Sequence, residues 1–420
     1  MSSSPVGKKR VFCSSRYEHK LKKMRHASKS SCTTCSKIDK PKNHETYVSS
    51  WTMENAEALG LFYDKNICDI SYFYEIFSAY KGRNRYGFIY PLEGASKTLI
   101  DSLVDQINGM INKHGVEMAT GWDWTVAADW PFVWRKCCDA IKILSETCRP
   151  TVSDGEHIRS YAGLISFYRT LKEHVQEEMW RSNSYTPSEI PKEAYSELFS
   201  KFLEIFLLLP RRGGFRKSVM MIKDSTLTST PDLHLTLPTY SAPSLFVINV
   251  VKAKICSLSD CEMFDIHQAV DNVILGQHAG ELLLEFQHSC FRDLQAVFGI
   301  LCIKTSVIFT CLKISTEHYK YIKDYGEDVV LKEMDVDSSS DLVENSSLEE
   351  ENEYAVKFCN TKDAKLSRFE KTTDKKHSNK SGRIFYTKPF NYLVSSDRRE
   401  IMEFLFWIGI NCERVAVSKV

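Results

Sequence analysis

The sequence predicts an α/β protein, a central mixed sheet flanked by helices and preceded by a mainly helical region, and three observations predict it. Apolar residues recur at three- and four-residue steps up to Pro210; short β-branched segments take over after Arg211-Arg212-Gly213-Gly214; and a helical pattern separates two groups of those segments. With 420 residues and a hydrophobic content of 43%, the chain can fill one large core or two moderate ones.

Residues 1–46 carry basic clusters at Lys8-Lys9-Arg10 and Lys20 to Arg25, and up to His44 only Glu18 and Asp39 oppose them. Serine-rich and almost without large apolar residues, this stretch predicts a disordered basic tail, read as a nuclear-import signal, a nonspecific nucleic-acid arm or a solubilising segment. Its lack of an apolar centre predicts no ordinary signal peptide. Cys32-Thr-Thr-Cys35 has the spacing of half a zinc site, but two ligands do not make one, and a pair of tail thiols is the simpler expectation.

Residues 47–190 predict a mainly helical region. Ser96 can cap a helix with Leu99, Ile100, Leu103, Val104, Ile107 and Ile111 on one face, and Ile158, Tyr161, Ile165, Tyr168, Leu171 and Val175 repeat the spacing. Between them, Trp122 to Trp134 reads as a loop-rich segment anchored by core tryptophans, or as aromatics interleaved with basic residues that could stack on bases. A helix opened at Pro191 must stop by Pro210.

The core is expected over 191–323 and 381–420. Ser218 to Ile222, Leu233 to Leu237 and Leu245 to Val251 read as strands, Met263 to Phe286 as one helix with Val273 among its inward residues, and Ala296 to Cys302 and Val307 to Ile314 as two further strands. Residues 324–380 open with a dense acidic run from Asp324 to Glu353 that only Lys332 interrupts, which predicts a disordered acidic and polar insertion. The helix from Arg398 to Ile408 is expected to pack back on the core, since its apolar face has no other cover.

A formal charge of +1 gives no global field toward nucleic acid or membrane, and no apolar run reaches the ~18 residues of a membrane span. Scattered cysteines within apolar segments fit reduced thiols, hence a nuclear or cytoplasmic protein without membrane contact. Glycine-rich phosphate loops, Gly-x-Ser-x-Gly elbows and His-Glu-x-x-His are absent from the sequence.

Chemistry would sit at Pro231-Asp232 and Lys252. Metal-dependent phosphodiester cleavage needs carboxylates at neighbouring strand ends to hold Mg²⁺ and a lysine to stabilise charge on the attacking or leaving oxygen. Asp232 and Lys252 supply two of these parts; two positions before the lysine, where the second acid belongs, stands Val250, preceded by Asn249.

The order of helix with Glu193 and Glu197, strand, Pro231-Asp232, strand ending in Lys252, helix with Gln268, and strand with Phe298-Gly299-Ile300 resembles the PD-(D/E)XK restriction-endonuclease-like superfamily as a degenerate member. The resemblance implies a restriction-endonuclease-like core, Asp232 as metal ligand, Lys252 as catalytic lysine, Gln268 as an active-face polar residue and Glu197 or Glu193 as the helix acid. Asp265, Asp271 and Glu281 are candidates for an acid that has moved from position 250. The expectation is a nuclease-fold protein that has lost cleavage and binds nucleic acid or a protein partner; an active Mg²⁺-dependent nuclease with a displaced acid and a helical interaction adaptor are the alternatives.

Overall fold

The computed structural model describes residues 47–79, 94–113, 130–147, 155–182, 190–213, 216–223, 225–237, 242–252, 264–326 and 381–417. The tail with Cys32 and Cys35, the insertion from 327 to 380, Trp122, Trp124 and Lys254 lie outside them.

An eight-stranded mixed sheet runs through the middle. In chain order its strands are β1 (Leu61–Ile67), β2 (Arg211–Arg212), β5 (Leu233–Thr236), β6 (Ser244–Val251), β7 (Ala296–Ile303), β8 (Ser306–Lys313), β9 (Gly382–Tyr386) and β10 (Phe390–Asn391). The spatial order is β1-β9-β8-β7-β6-β5-β2, with β10 also paired to β8. β2, β5 and β6 form an antiparallel meander, and β6 and β7 are parallel. That parallel pair needs a crossover, which α7 (Ile266–Ala269) and α8 (Asn272–Glu285) provide. The near-continuous apolar character of β6 and β7 follows from their burial on both faces.

Each face supports its own core. On one, α2 (Ile70–Ala79), α3 (Gly94–Lys113), α4 (Trp130–Thr147), α5 (Gly155–Ser182), α6 (Lys192–Glu204) and α10 (Ser395–Val417) pack around Phe246, Ile248, Val250 and Phe298. On the other, α1 (Met53–Glu57), α8, α9 (Thr316–Tyr325) and the separate hairpin of β3 (Ser218–Ile222) and β4 (Ser225–Ser229) cover Val247, Val297 and Leu301. Arg398 ties α10 to α3: it is buried, and its guanidinium donates to Asn108 Oδ1 at 3.1 Å and Asn112 Oδ1 at 2.6 Å.

One expectation is refined and three are corrected. The mainly helical region contributes β1, which pairs parallel with β9 near the other end of the chain, a partner no local pattern reveals. The helix foreseen from Met263 to Phe286 is two helices, because Val270 is extended and the Asp271 side chain accepts the Val273 N–H at 2.8 Å to start a new one, leaving Val273 exposed. The strand Ser218–Ile222 stands outside the main sheet. Trp130 to Trp134 opens α4 instead of lying in a loop-rich segment. No helix among the described residues is long and apolar enough to cross a membrane.

Candidate functional site

Asp232 is held at the entry to β5 by three contacts. The Gly213 N–H donates to its carbonyl at 2.8 Å, the Val250 N–H donates to Oδ2 at 2.8 Å, and Lys192 Nζ lies 2.8 Å from Oδ1. The Val250 bond prolongs the β5–β6 ladder by one side chain beyond the Leu233–Ile248 pair, so the carboxylate does the work of a backbone carbonyl. Its side chain is 21% exposed and that of Lys192 38% exposed. Lys192 opens α6 directly after Pro191, whose fixed φ suits a helix start.

On the α8 side of the sheet lies a buried polar group centred on His278. His278 donates from Nδ1 to Asn249 Oδ1 at 2.6 Å, and the Thr310 hydroxyl donates to Nε2 at 2.7 Å. Asn249 can only accept through that oxygen, which settles the tautomer. Burial holds the imidazole well below its usual range, at about 3, so the ring is neutral. Gly299 makes the arrangement possible, since a Cβ there would stand 2.6 Å from Thr310 Oγ1 and 2.8 Å from His278 Cε1.

One turn further along α8, Glu281 is buried, with Gln277 Nε2 donating to Oε1 at 2.9 Å and Oε2 without a hydrogen-bonding partner. Burial pushes its carboxyl up and the Asp232 charge adds to the rise; Gln277, Asn249 and Lys192 oppose them, and the outcome is about 7. Glu281 is therefore the carboxyl in electrostatic contact with Asp232, as one of the three displaced-acid candidates. The other two have structural duties: Asp265 caps α7 through the His267 N–H, and Asp271 caps α8.

A second polar group sits at the far end of α8. Glu285 receives Arg216 Nη2 at 3.1 Å, the Ser218 hydroxyl and, 3.3 Å from Oε1, His234 Nε2. Burial alone would raise its carboxyl; His234, Ser218 and Arg216 overcome that and hold it at about 2.

The sequence-derived residues divide on this geometry. Asp232 is at the centre. Lys252 is exposed just beyond β6, and strand alternation gives it the face of Val250, opposite that of Asn249; the lysine paired with Asp232 is Lys192. Val250 itself is buried in the core on the α6 side. Gln268 is exposed on the short α7, and the glutamine that meets a site carboxyl is Gln277. Glu197 pairs with Arg212 of β2 and lies 3.9 Å from Lys201, and Glu193 is exposed. Lys192, Asn249, Gln277, His278 and Thr310 were not foreseen as site residues. The four-residue spacing of Gln277, Glu281 and Glu285 on an otherwise apolar helix was the available signal; Lys192 left none.

Mg²⁺ does not fit this resting arrangement. It demands near-octahedral oxygen ligands at about 2.1 Å, whereas both Asp232 oxygens already bind protein donors and Glu281 is substantially protonated at neutral pH. No group of three or more His, Cys, Asp or Glu side chains that could hold a metal occurs among the described residues. No protein-family model, curated protein or solved structure matches the chain.

The same end of the sheet is rich in cations. Arg211, Arg212 and Lys252 are exposed there, Lys192 and Lys304 are half-buried, and the Lys304 N–H donates to Val251 O at 2.9 Å, which brings the β7–β8 turn to the end of β6. This is where the parallel strands β6 and β7 present their carboxyl ends.

Proposed function

We propose that this protein is a nuclease-like core that binds nucleic acid at the carboxyl end of β6 and β7 without cutting it. The observation that carries the reading is the closure of the Asp232 corner, with both carboxylate oxygens engaged, beneath a rim of Arg211, Arg212, Lys252 and Lys304. Ligands of open α/β sheets bind beyond the carboxyl ends of parallel strands. Lysines and arginines in such a place neutralise phosphates without reading sequence, so the binding is salt-dependent. The antiparallel meander followed by a helical crossover to a parallel strand is consistent with restriction-endonuclease-like ancestry. The basic tail adds the same charge and favours a nuclear location.

Fluorescence anisotropy with single- and double-stranded DNA and RNA, in EDTA and in Mg²⁺, tests this. Binding equal in both conditions, falling steeply with salt and weakened at least tenfold by R212E/K252E is the expected result, with no product on a denaturing gel. Absence of binding at low salt to all four probes ends the reading and leaves a protein partner as the better account. The rise that the Asp232 charge causes in the Glu281 carboxyl favours one competing reading, an active nuclease with a displaced acid; cleavage abolished by Glu281→Gln would establish it.

A further inference from the structure

The β3–β4 hairpin has one face in the core and one in water. Met220, Ile222 and Leu227 are buried on the α8 side, so strand alternation puts Lys217, Val219, Met221 and Lys223 on the opposite face of β3, and all four are exposed. Residues paired across strands share a face. Thr228 lies opposite Val219, and Thr226 opposite Met221, where the Thr226 hydroxyl donates to Met221 Sδ at 3.0 Å. Tyr47 joins Thr228 in a parallel bridge and widens the first row to Tyr47, Thr228 and Val219. Its backbone is fixed, because its carbonyl accepts the Ser50 N–H at 3.2 Å and the Ser50 hydroxyl at 2.8 Å while Val48 and Trp51 behind it are buried.

Three apolar side chains are thus left in water on one small sheet, Tyr47 at 61%, Met221 at 51% and Val219 at 42% exposure. Lys217 and Lys223 frame them, about 20 Å apart along the strand. The described part of the hairpin contains no acid, Arg216 turns inward to Glu285, and neither framing lysine joins an ion pair among the described residues. The outer edges are engaged: Tyr47 bridges β4, and along β3 the Gln287 side chain donates to Val219 O at 3.1 Å and the Lys223 N–H donates to Lys323 O at 2.7 Å. A peptide that adds itself as a further strand needs a free edge, so the face is what remains for a ligand. Sheet faces that carry exposed rings beside cations bind single strands, whose splayed bases stack on the rings while the cations meet the backbone.

We propose that the outer face of the β3–β4 hairpin is a separate surface for single-stranded nucleic acid, with a base stacked on Tyr47, its neighbours against Val219 and Met221, and phosphates at Lys217 and Lys223. It rests on the nucleic-acid reading for the class of ligand alone, and not on the Asp232 corner or its rim. Aliphatic and aromatic side chains in the middle of the face give contact to any base but no pattern of donors and acceptors for base edges, so the surface tolerates sequence.

The test is photo-cross-linking of the full chain to a short oligothymidine carrying 5-iodouracil, with the linked residue mapped by mass spectrometry. The expected result is a cross-link at Tyr47 that K217E/K223E reduces at least tenfold and R212E/K252E leaves in place. In the R212E/K252E background, anisotropy should show oligothymidine bound at least fivefold more weakly by Tyr47→Ala and as before by Tyr47→Phe, with melting temperatures unchanged. A cross-link that is absent from Tyr47, that survives K217E/K223E or that forms as strongly with a duplex probe overturns the proposal. So does protection of Lys217 and Lys223 from acetylation by a polyglutamate peptide and not by oligothymidine, which would assign the face to an acidic protein. Failure of the rim reading looks different: R212E/K252E then leaves all binding unchanged while the Tyr47 cross-link persists.

Discussion

Glu281 and Glu285 are one helical turn apart on α8, both buried, and their carboxyls move in opposite directions, to about 7 and about 2. Burial penalises the charge on each. Glu285 has Arg216, His234 and Ser218 converging on its two oxygens; Glu281 has the neutral amides of Gln277 and Asn249 and the opposing charge of Asp232. The contrast teaches that depth does not decide the charge of an acid; the net sign and number of its partners do. Glu285 belongs to a locked ion cluster, whereas Glu281, one turn before it, is an acid in reserve.

The largest test of that contrast is removal of each carboxylate. Glu285→Ala leaves the half-buried Arg216 without its counter-ion and the buried His234 and Ser218 without their acceptor, and should cost about 3 kcal/mol in urea unfolding, while Glu281→Gln at pH 7 should cost far less. Equal losses would break the comparison.

The second test is pH. Glu281 has a folded pKa above the unfolded carboxylate value, so its contribution is fully present below about pH 4.5 and is lost as pH rises through about 7, at no more than about 1.4 kcal/mol per pH unit. Glu285 works the other way, present above about 4.5 and lost as pH falls toward 2. Subtracting the Glu281→Gln stability profile from the wild type should isolate a decline between pH 5 and 8; a flat difference would mean that Glu281 is ionised throughout.

Next in size is Gly299→Ala, whose Cβ collides with Thr310 and His278. It should destabilise by about 1–3 kcal/mol, with the His278 ring resonances shifted in NMR spectra and those of His234 unchanged. Lys192→Met is the smallest: breaking a half-exposed pair should cost at most about 1 kcal/mol, measurable as a shift in urea midpoint well below that of Gly299→Ala.

Much of the frame was legible because the strands from Leu233 onward are short, largely apolar segments bounded by turns, with β-branched residues frequent from Val247 on, and Pro191 and Pro210 bracket α6. Asp232 was legible for a local reason, its place after proline at a strand start. Lys252 misled because spacing along a strand says nothing of which face a partner occupies, and the neighbouring Asn249 is the residue that shares the α8 side with Glu281. Gln268 was read as an active-face residue on a single long helix, whereas Asp271 starts a second helix, and that one carries Gln277. Lys192 was invisible, since its contact joins a helix start to a strand start by packing alone.

The sheet is completed by its most distant pieces, Leu61–Ile67 lying beside Gly382–Tyr386. Emerging from the ribosome, the chain must wait until residues 382–386 are made before β8 acquires its neighbour β9, and until then a long apolar strand shows a bare hydrogen-bonding edge. Such remote closure slows folding and exposes the nascent protein to self-association. A chain cut short before Gly382 loses more than the helix α10: it forfeits the strand that seals the barrier between two cores.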